Sequence, residues 1–497
     1  MKTKLLFTLI TCYTFFLQAQ TYVPDDAFEQ KLIDLGYDSG ALDDYVPTAN
    51  INTVTVLSLN GLPITDLTGI EDFTALDNIF IRYANLTTLD LSSNTLLTKI
   101  NIPSNNIVNL NINGLTNLEE IILFDNNILG IDLSTNTALI KFNGGQNPYS
   151  SLDFSNNPNV EWIGSPFGSL TSIDLTGITT LKEVYIQDNQ ITSLDVSGNA
   201  NLFWLDAFDN SLSSINLTGA TALQYGNIYN NQLTSLDVST NVNLISLSCS
   251  TNQLATLVVS ANSVLDVLSA NDNLLTNLNL VGANILTRLQ CQNNLLATLN
   301  VNNNVSLQQL NAGNNDLSSI SLANATALTN ITLNDNKLTN LDLSNHPSFT
   351  FLNLNNNSLT NLNVKNGNNT AINNSWFRVQ NNPNLTCIEV DDASYSTTNW
   401  TNIDTTTSFS ENCATMSLED FLIADIRLYP NPTSNYINIK STSINNLDYQ
   451  IVDVLGKEVH SGSIQSNTIS VAHLKSGIYF IKLSNQEGSK ALKFIKQ

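Results

Sequence analysis

Seven aromatic side chains, Phe203 not counted, stand among acids between positions 162 and 229. They are Trp162, Phe167, Tyr185, Trp204, Phe208, Tyr225 and Tyr229, with Glu183, Asp188, Asp206 and Asp209 interleaved. Rings offer apolar area and a negative π face, while carboxylates accept hydrogen bonds and attract cations. That combination suits holding a ligand: a basic patch on a protein, or a glycan that stacks on rings while its hydroxyls bond the acids. It does not suit turning a ligand over. The chain has only three histidines, His346, His460 and His473. No GxSxG, HExxH, phosphate loop or paired-carboxylate motif stands in a plausible context. A glycosidase working with carboxylates alone is the one hydrolase that the composition leaves open. No catalytic residue, metal ligand or cofactor is therefore assigned.

These residues are placed by a repeat. In Leu202-x-x-Leu205-x-Ala207-x-x-Asn210-x-Leu212-x-x-Ile215-x-Leu217, a step of 21 residues returns the Asn at Asn105, Asn126, Asn147, Asn189, Asn210, Asn231, Asn252, Asn273, Asn294, Asn315, Asn336 and Asn357. Gly168 alone interrupts the column, and an earlier coil ending at Ala84 keeps the register. A fixed period of this length marks a solenoid, whose units bury apolar edges only against their neighbours. Each period holds two arms of alternating apolar residues, one ending at Asn199 and the next at Asn210. Neither has helical spacing, so the coils are expected to be thin and nearly free of helix.

The pattern LxxLxLxxNxLxxLDLxx(N) resembles the nested 10 + 11 class of leucine-rich repeat proteins over about residues 54–385. The resemblance implies a mainly β, leucine-rich-repeat solenoid of about fourteen 21-residue coils. In it, Leu, Ile and Val fill a continuous core, and the Asn column bonds turn backbone and tolerates the left-handed conformation. A second polar column runs along the other arm: Asp90, Asn111, Asp132, Asp153, Asp174, Asp195, Asn216, Asp237, Asn279, Asn300, Asp342 and Asn363. Val258 and Ser321 interrupt it, which favours a solvated structural ladder over a file of calcium sites.

The aromatics follow the same step. Four positions per coil point outward on the Asn-ending arm. In the eight coils from Ala84 to Asn231 they hold ten aromatics, adding Phe80, Tyr83 and Phe124 to the seven above; in the next five coils they hold none. Apolar area concentrated on one strand face is too costly in water to be neutral decoration, and such clusters mark partner surfaces. Rings that merely lean on each other along the sheet are the competing explanation.

The ends depart from the repeat. Residues 1–19 read as a signal peptide: Lys2 and Lys4, an apolar run from Leu5 to Phe16, then Leu17-Gln18-Ala19; a lipoprotein box at Cys12 is the alternative. Residues 20–60 form a short helical cap, and VPDDAFEQKLIDLGYDSGALDDYV resembles the N-terminal cap of leucine-rich repeat proteins of the Bacteroidetes group. A calcium loop at Asp34, Asp38 and Gly40 has the wrong spacing. After the solenoid (61–380), residues 381–415 resemble a Bacteroidetes repeat cap, in which Cys387 and Cys413 are expected to form a disulfide. Cys249 and Cys291 sit two coils apart, too far to bond, and are core fillers.

Charge then changes sign. Residues 20–417 hold 9 basic and 35 acidic residues, and residues 418–497 hold 8 and 7. Six short strand-like runs, from Ile426–Tyr429 to Ala491–Ile495, predict a small Ig-like β-sandwich over 416–497. Tyr429-Pro430-Asn431-Pro432, Val454-Leu455-Gly456-Lys457 and Gly477-Ile478-Tyr479 resemble the type A C-terminal sorting domain of the type IX secretion system. That resemblance implies secretion machinery as a partner, and release or attachment at the outer surface.

A formal net charge of −23 argues against nucleic acid and anionic membranes, and no later stretch is apolar enough to span a bilayer. The sequence thus implies a secreted or cell-surface recognition protein, not an enzyme. Its expected ligand is an extracellular protein held on Trp162, Phe167, Tyr185, Trp204, Asp206, Phe208, Asp209, Tyr225 and Tyr229. Glycan binding and a purely structural surface role are the alternatives.

Overall fold

The computed structural model describes residues 19–413, 427–440, 448–454, 456–464, 467–484 and 489–497. The expected signal peptide, with Cys12, lies outside them apart from its last residue. The chain divides into two compact units, Met1–Phe409 and Ser410–Gln497.

The first unit is built on one parallel sheet of sixteen short strands, from Val56–Ser58 to Phe377–Arg378. Successive strands pair in register one repeat apart, as Leu205 does with Val184 and Gly226. The sheet carries two rungs beyond the fourteen in strict step. Leu57 pairs with Ile79 and Leu352 with Phe377. Both spacings are longer than the period of the repeat, so a search at that fixed period passes over them. The other arm makes only short pieces, such as Ser193–Asp195 on Ser214–Asn216, and its last piece runs on to Ser408–Ser410. Between the arms one apolar core extends from Val23 to Trp400.

Three polar ladders hold the turns. In the expected Asn column, Asn231 Oδ1 accepts the Leu212 N–H at 2.9 Å, while Nδ2 donates to Ala207 O at 3.0 Å and Ile228 O at 3.1 Å. One amide thus satisfies carbonyls of two coils that the core would otherwise strand. The left-handed conformation, however, does not fall on the Asn. It falls one residue earlier, at Tyr83, Phe167, Asp188, Asp209 and Asn230 among others, with φ between 52° and 59° for these five. An Asn engaged with three backbone groups has no need of it, and the turn is made by its neighbour.

The second column is a file of Asx turns: Asp195 Oδ1 accepts from Ser197 N, and Asn216 Oδ1 from Thr218 N. A third, buried ladder, the column at which the shorter arm ends, comprises Asn94, Asn136, Asn157, Asn199, Asn241, Asn262 and Asn304. Asn241 Nδ2, for instance, donates to Leu217 O and Ala220 O. His346 stands in the same column, its Nε2 at 3.1 Å from Leu322 O. A carbonyl only accepts, so the ring carries its proton on Nε2 and serves as a substitute amide.

Both ends of the stack are covered. The helix Asp26–Asp34 is capped by Asp25, whose Oδ1 accepts from Ala27 N and Phe28 N. Its Oδ2 takes Thr65 N and Asp66 N, pinning the helix to the first coil. Partial burial opposes ionisation there, but these bonds hold the Asp25 carboxyl below its usual range. At the far end Trp400 is buried against Phe377, ring centroids 4.1 Å apart, and donates to Ile372 O. Cys387 and Cys413 are disulfide-bonded. Cys249 and Cys291 are free and buried, their thiols pushed up to about 12 by desolvation.

In the second unit, the strands Arg427–Tyr429, Tyr436–Lys440 and Thr468–Ser470 form one antiparallel sheet. Asp448–Asp453, Glu458–Ser463, Gly477–Ser484 and Ser489–Lys496 form another. Their core holds Ile437, Ile451, Ile481 and Phe494. Glu458–Ser463, a strand that the sequence pattern missed, lies at a sheet edge, where polar side chains replace the alternation of a buried strand.

Candidate functional site

The first residue of each long-sheet strand points outward, and its register partners make a single file: Lys99, Glu120, Lys141, Trp162, Glu183, Trp204 and Tyr225. The file begins as a charge ladder. Glu120 lies 2.5 Å from Lys99 and 3.4 Å from Lys141. Burial opposes its ionisation, yet the two ammonium groups hold its carboxyl below the ordinary range. Lys141 Nζ also stands 5.4 Å from the centroid of Trp162, where the rings begin.

The rings touch in sequence. Trp162 and Tyr185 have centroids 5.4 Å apart, Tyr185 and Trp204 6.5 Å, and Trp204 and Tyr225 4.7 Å. Tyr185 is rooted two residues along its strand and fills the rung of Glu183, donating its hydroxyl to Glu183 Oε2 at 2.6 Å. Burial first, then Glu183 and Asp206, raises the Tyr185 phenol. Trp162 lies along its own strand over Gly164, where an added Cβ would collide with the indole. Gly164 and Lys141 are site residues that composition did not single out, although both fall on the step of the repeat.

A second pair, Phe208 and Tyr229, stacks at 4.5 Å with planes 9° apart. Along the strand Asp206 lies between the two aromatic files, accepting from Asn227 Nδ2 at 2.5 Å. At the turn beyond are Asp188 and Asp209, one coil apart, with Asn230 donating to Asp209. Burial and the charge of Asp209 push the Asp188 carboxyl up. The Tyr229 phenol is raised by burial and then by Asp209, Asp188 and Asp206. Among the described residues, none of Glu183, Asp188, Asp206 and Asp209 has a Lys or Arg partner.

The structure brings eight of the nine expected site residues into this patch. None is buried, but six of the rings are half-buried by their neighbours, so they do lean on one another. Phe167 stands apart: it is 53% exposed, makes no ring–ring contact among the described residues and sits at positive φ. Tyr83 is its counterpart in an earlier coil, 63% exposed beneath the Arg82 guanidinium.

Other clusters are smaller. Asp66, Glu71 and Asp90 line a groove of about 500 Å³ on the opposite arm. Glu29, buried in the N-terminal cap, approaches Asp38 and Asp43, but its oxygens already accept the N–H groups of Asp43 and Asp44.

Residues 427–497 match the family described as secretion system C-terminal sorting domain. A curated endo-acting ulvan lyase of Formosa agariphila is 32% identical over 72 residues, 14% of each chain. The present chain thus spans a small fraction of that relative. Among solved structures, the functional domain of InlJ from Listeria monocytogenes, described as including a cysteine ladder, covers 96% of this chain and 99% of its own. Its TM-score is 0.59 at 23% identity. An internalin, InlF, of the same species has a TM-score of 0.47 at 24% identity, covering 68% and 91%. At these identities the InlJ likeness is one of fold. Among the described residues no helix is long and apolar enough to cross a membrane. The chain is thus a leucine-rich-repeat solenoid bearing a C-terminal sorting domain, which directs it through type IX secretion to the cell surface or the medium.

Proposed function

We propose that this is a recognition protein, not a catalyst, which binds an extracellular protein through the aromatic face between Trp162 and Tyr229. Phe167 carries the reading. A bulky side chain at positive φ is strained and in water its ring is costly. The turn itself does not require a ring, since the other coils, that of Tyr83 apart, place Asp, Asn, Ser, Thr or Gln there. A ring kept there at a loss to the fold is explained by something outside it. Trp162, Tyr185, Trp204, Tyr225, Phe208 and Tyr229 then form the floor on which the partner rests, with Asp206 and Asp209 as acceptors.

The test is Phe167→Asn. It removes the strain and the exposed ring together, so melting temperature should hold or rise while capture of the partner by the mature chain falls about tenfold or more. Unchanged capture, or a lower melting temperature, would return Phe167 to a structural role. A file of stacked rings also suits sugar faces. Competition by free saccharides that leaves protein partners unaffected would shift the assignment to a glycan.

A further inference from the structure

Resting on that reading of the ring face, we infer that its ligand is an extended protein segment carrying at least two basic side chains, arginine in preference to lysine. Charge makes the choice. On ringless coils the turn acids are capped by the protein's own amides: Asp272 accepts from Asn271 and Asn293, and Asp335 from Asn334 and Asn356. On the ring coils the Asp188 carboxylate accepts no hydrogen bond among the described residues, and the Asp209 carboxylate accepts one, from Asn230. Asp188 and Asp209 carry like charges on adjacent rungs about 4.8 Å apart, so they repel one another; burial first, and then this repulsion, raises the Asp188 carboxyl. A neutral sugar leaves that repulsion in place; a cation removes it.

The cation is not a bare metal ion. Among the described residues, no three carboxylates of this face converge closely enough to bind one. The acids instead stand at two places on the strand, Glu183 and Asp206 beside the ring files and Asp188 and Asp209 at the turn. Such a spread calls for two separate positive groups on one backbone. A guanidinium lies flat on Trp204 or Phe208 while its edge meets a carboxylate, which an ammonium does less well.

The probe is an acetylated, amidated pentapeptide with arginine at its second and fourth positions, compared with lysine and citrulline twins. Binding to the full mature chain is read by calorimetry at low salt and at about 0.5 M salt, where exposed charge is screened. The arginine peptide should bind about tenfold tighter than its citrulline twin and several-fold tighter than the lysine one. Asp206→Asn and Asp209→Asn should each weaken it about fivefold, while Asp272→Asn, the same charge removed from a ringless coil, should change it less than twofold. Equal loss in Asp206→Asn and Asp272→Asn, or equal binding of the citrulline twin, would reduce the effect to overall charge and overturn the inference. Loss in Phe208→Ser with full retention in Asp206→Asn would also overturn it, while leaving the ring face as a binding surface. No loss in any of these variants would remove both.

Discussion

One backbone position in each coil is held at positive φ, and its occupant reports the coil's task. Phe167, Asp188, Asp209 and Asn230 occupy it in four successive rungs. Asp188 invites a direct test. Its carboxyl is raised in the fold, so its charge opposes folding at neutral pH, and the penalty is relieved as pH falls through the folded pKa. Asp188→Asn should therefore raise the melting temperature at pH 7, and the gain should vanish well below the unfolded value of 3.8, where both chains are neutral there. A gain that persists at low pH would mean that charge was not its source. Trp204 offers a second test. Its indole N–H is covered yet has no hydrogen-bond partner, so Trp204→Phe should leave stability within about 0.5 kcal/mol. The rings were legible in the sequence because they keep the step of the Asn column. The offset of the strained position was not: Asn is the usual left-handed residue, and the column of Asn drew the eye away from its neighbour.

At the scale of the coil, stability comes from apolar rungs and amide ladders acting together. Leu205 is fully buried in the middle of the stack, and Leu205→Ala should cost about 2–5 kcal/mol. Urea unfolding of the whole chain would read this as a lower midpoint, and a shift under about 0.5 kcal/mol would show the coil to be looser than its packing. The two-armed coil and the outer Asn and Asx columns could be written down from spacing alone. The inner Asn ladder was harder to see, because Leu115, Ile178, Ala220, Ala283 and Ala325 interrupt it and His346 disguises it. The edge strand Glu458–Ser463 escaped because period-two patterning exists only where one face is buried.

For the molecule as a whole, solenoid and tail answer to pH differently. His460 in the tail bonds Tyr449 and stands 4.4 Å, centroid to centroid, from His473. Burial, and then the charge of His473, lowers its pKa. A lowered histidine pKa means that the fold prefers the neutral ring. Its contribution is complete above the unfolded value of 6.5 and declines as pH drops from there towards the folded pKa. Melting of the full chain between pH 7.5 and 5 should show an acid-sensitive component that His460→Gln abolishes; equal sensitivity in the variant would place the effect elsewhere. In the sequence the repeat ends first, at 380, and the charge balance changes only after 417; the chain divides into its two compact units between them, at Phe409 and Ser410.

Because each rung meets only the one before and the one after, a single coil can be copied or dropped without shifting any other pair out of register. A gene could gain or lose such a block by unequal exchange and still encode a folded chain. The ringed stretch would then behave as a cassette whose length can drift while the scaffold stays the same.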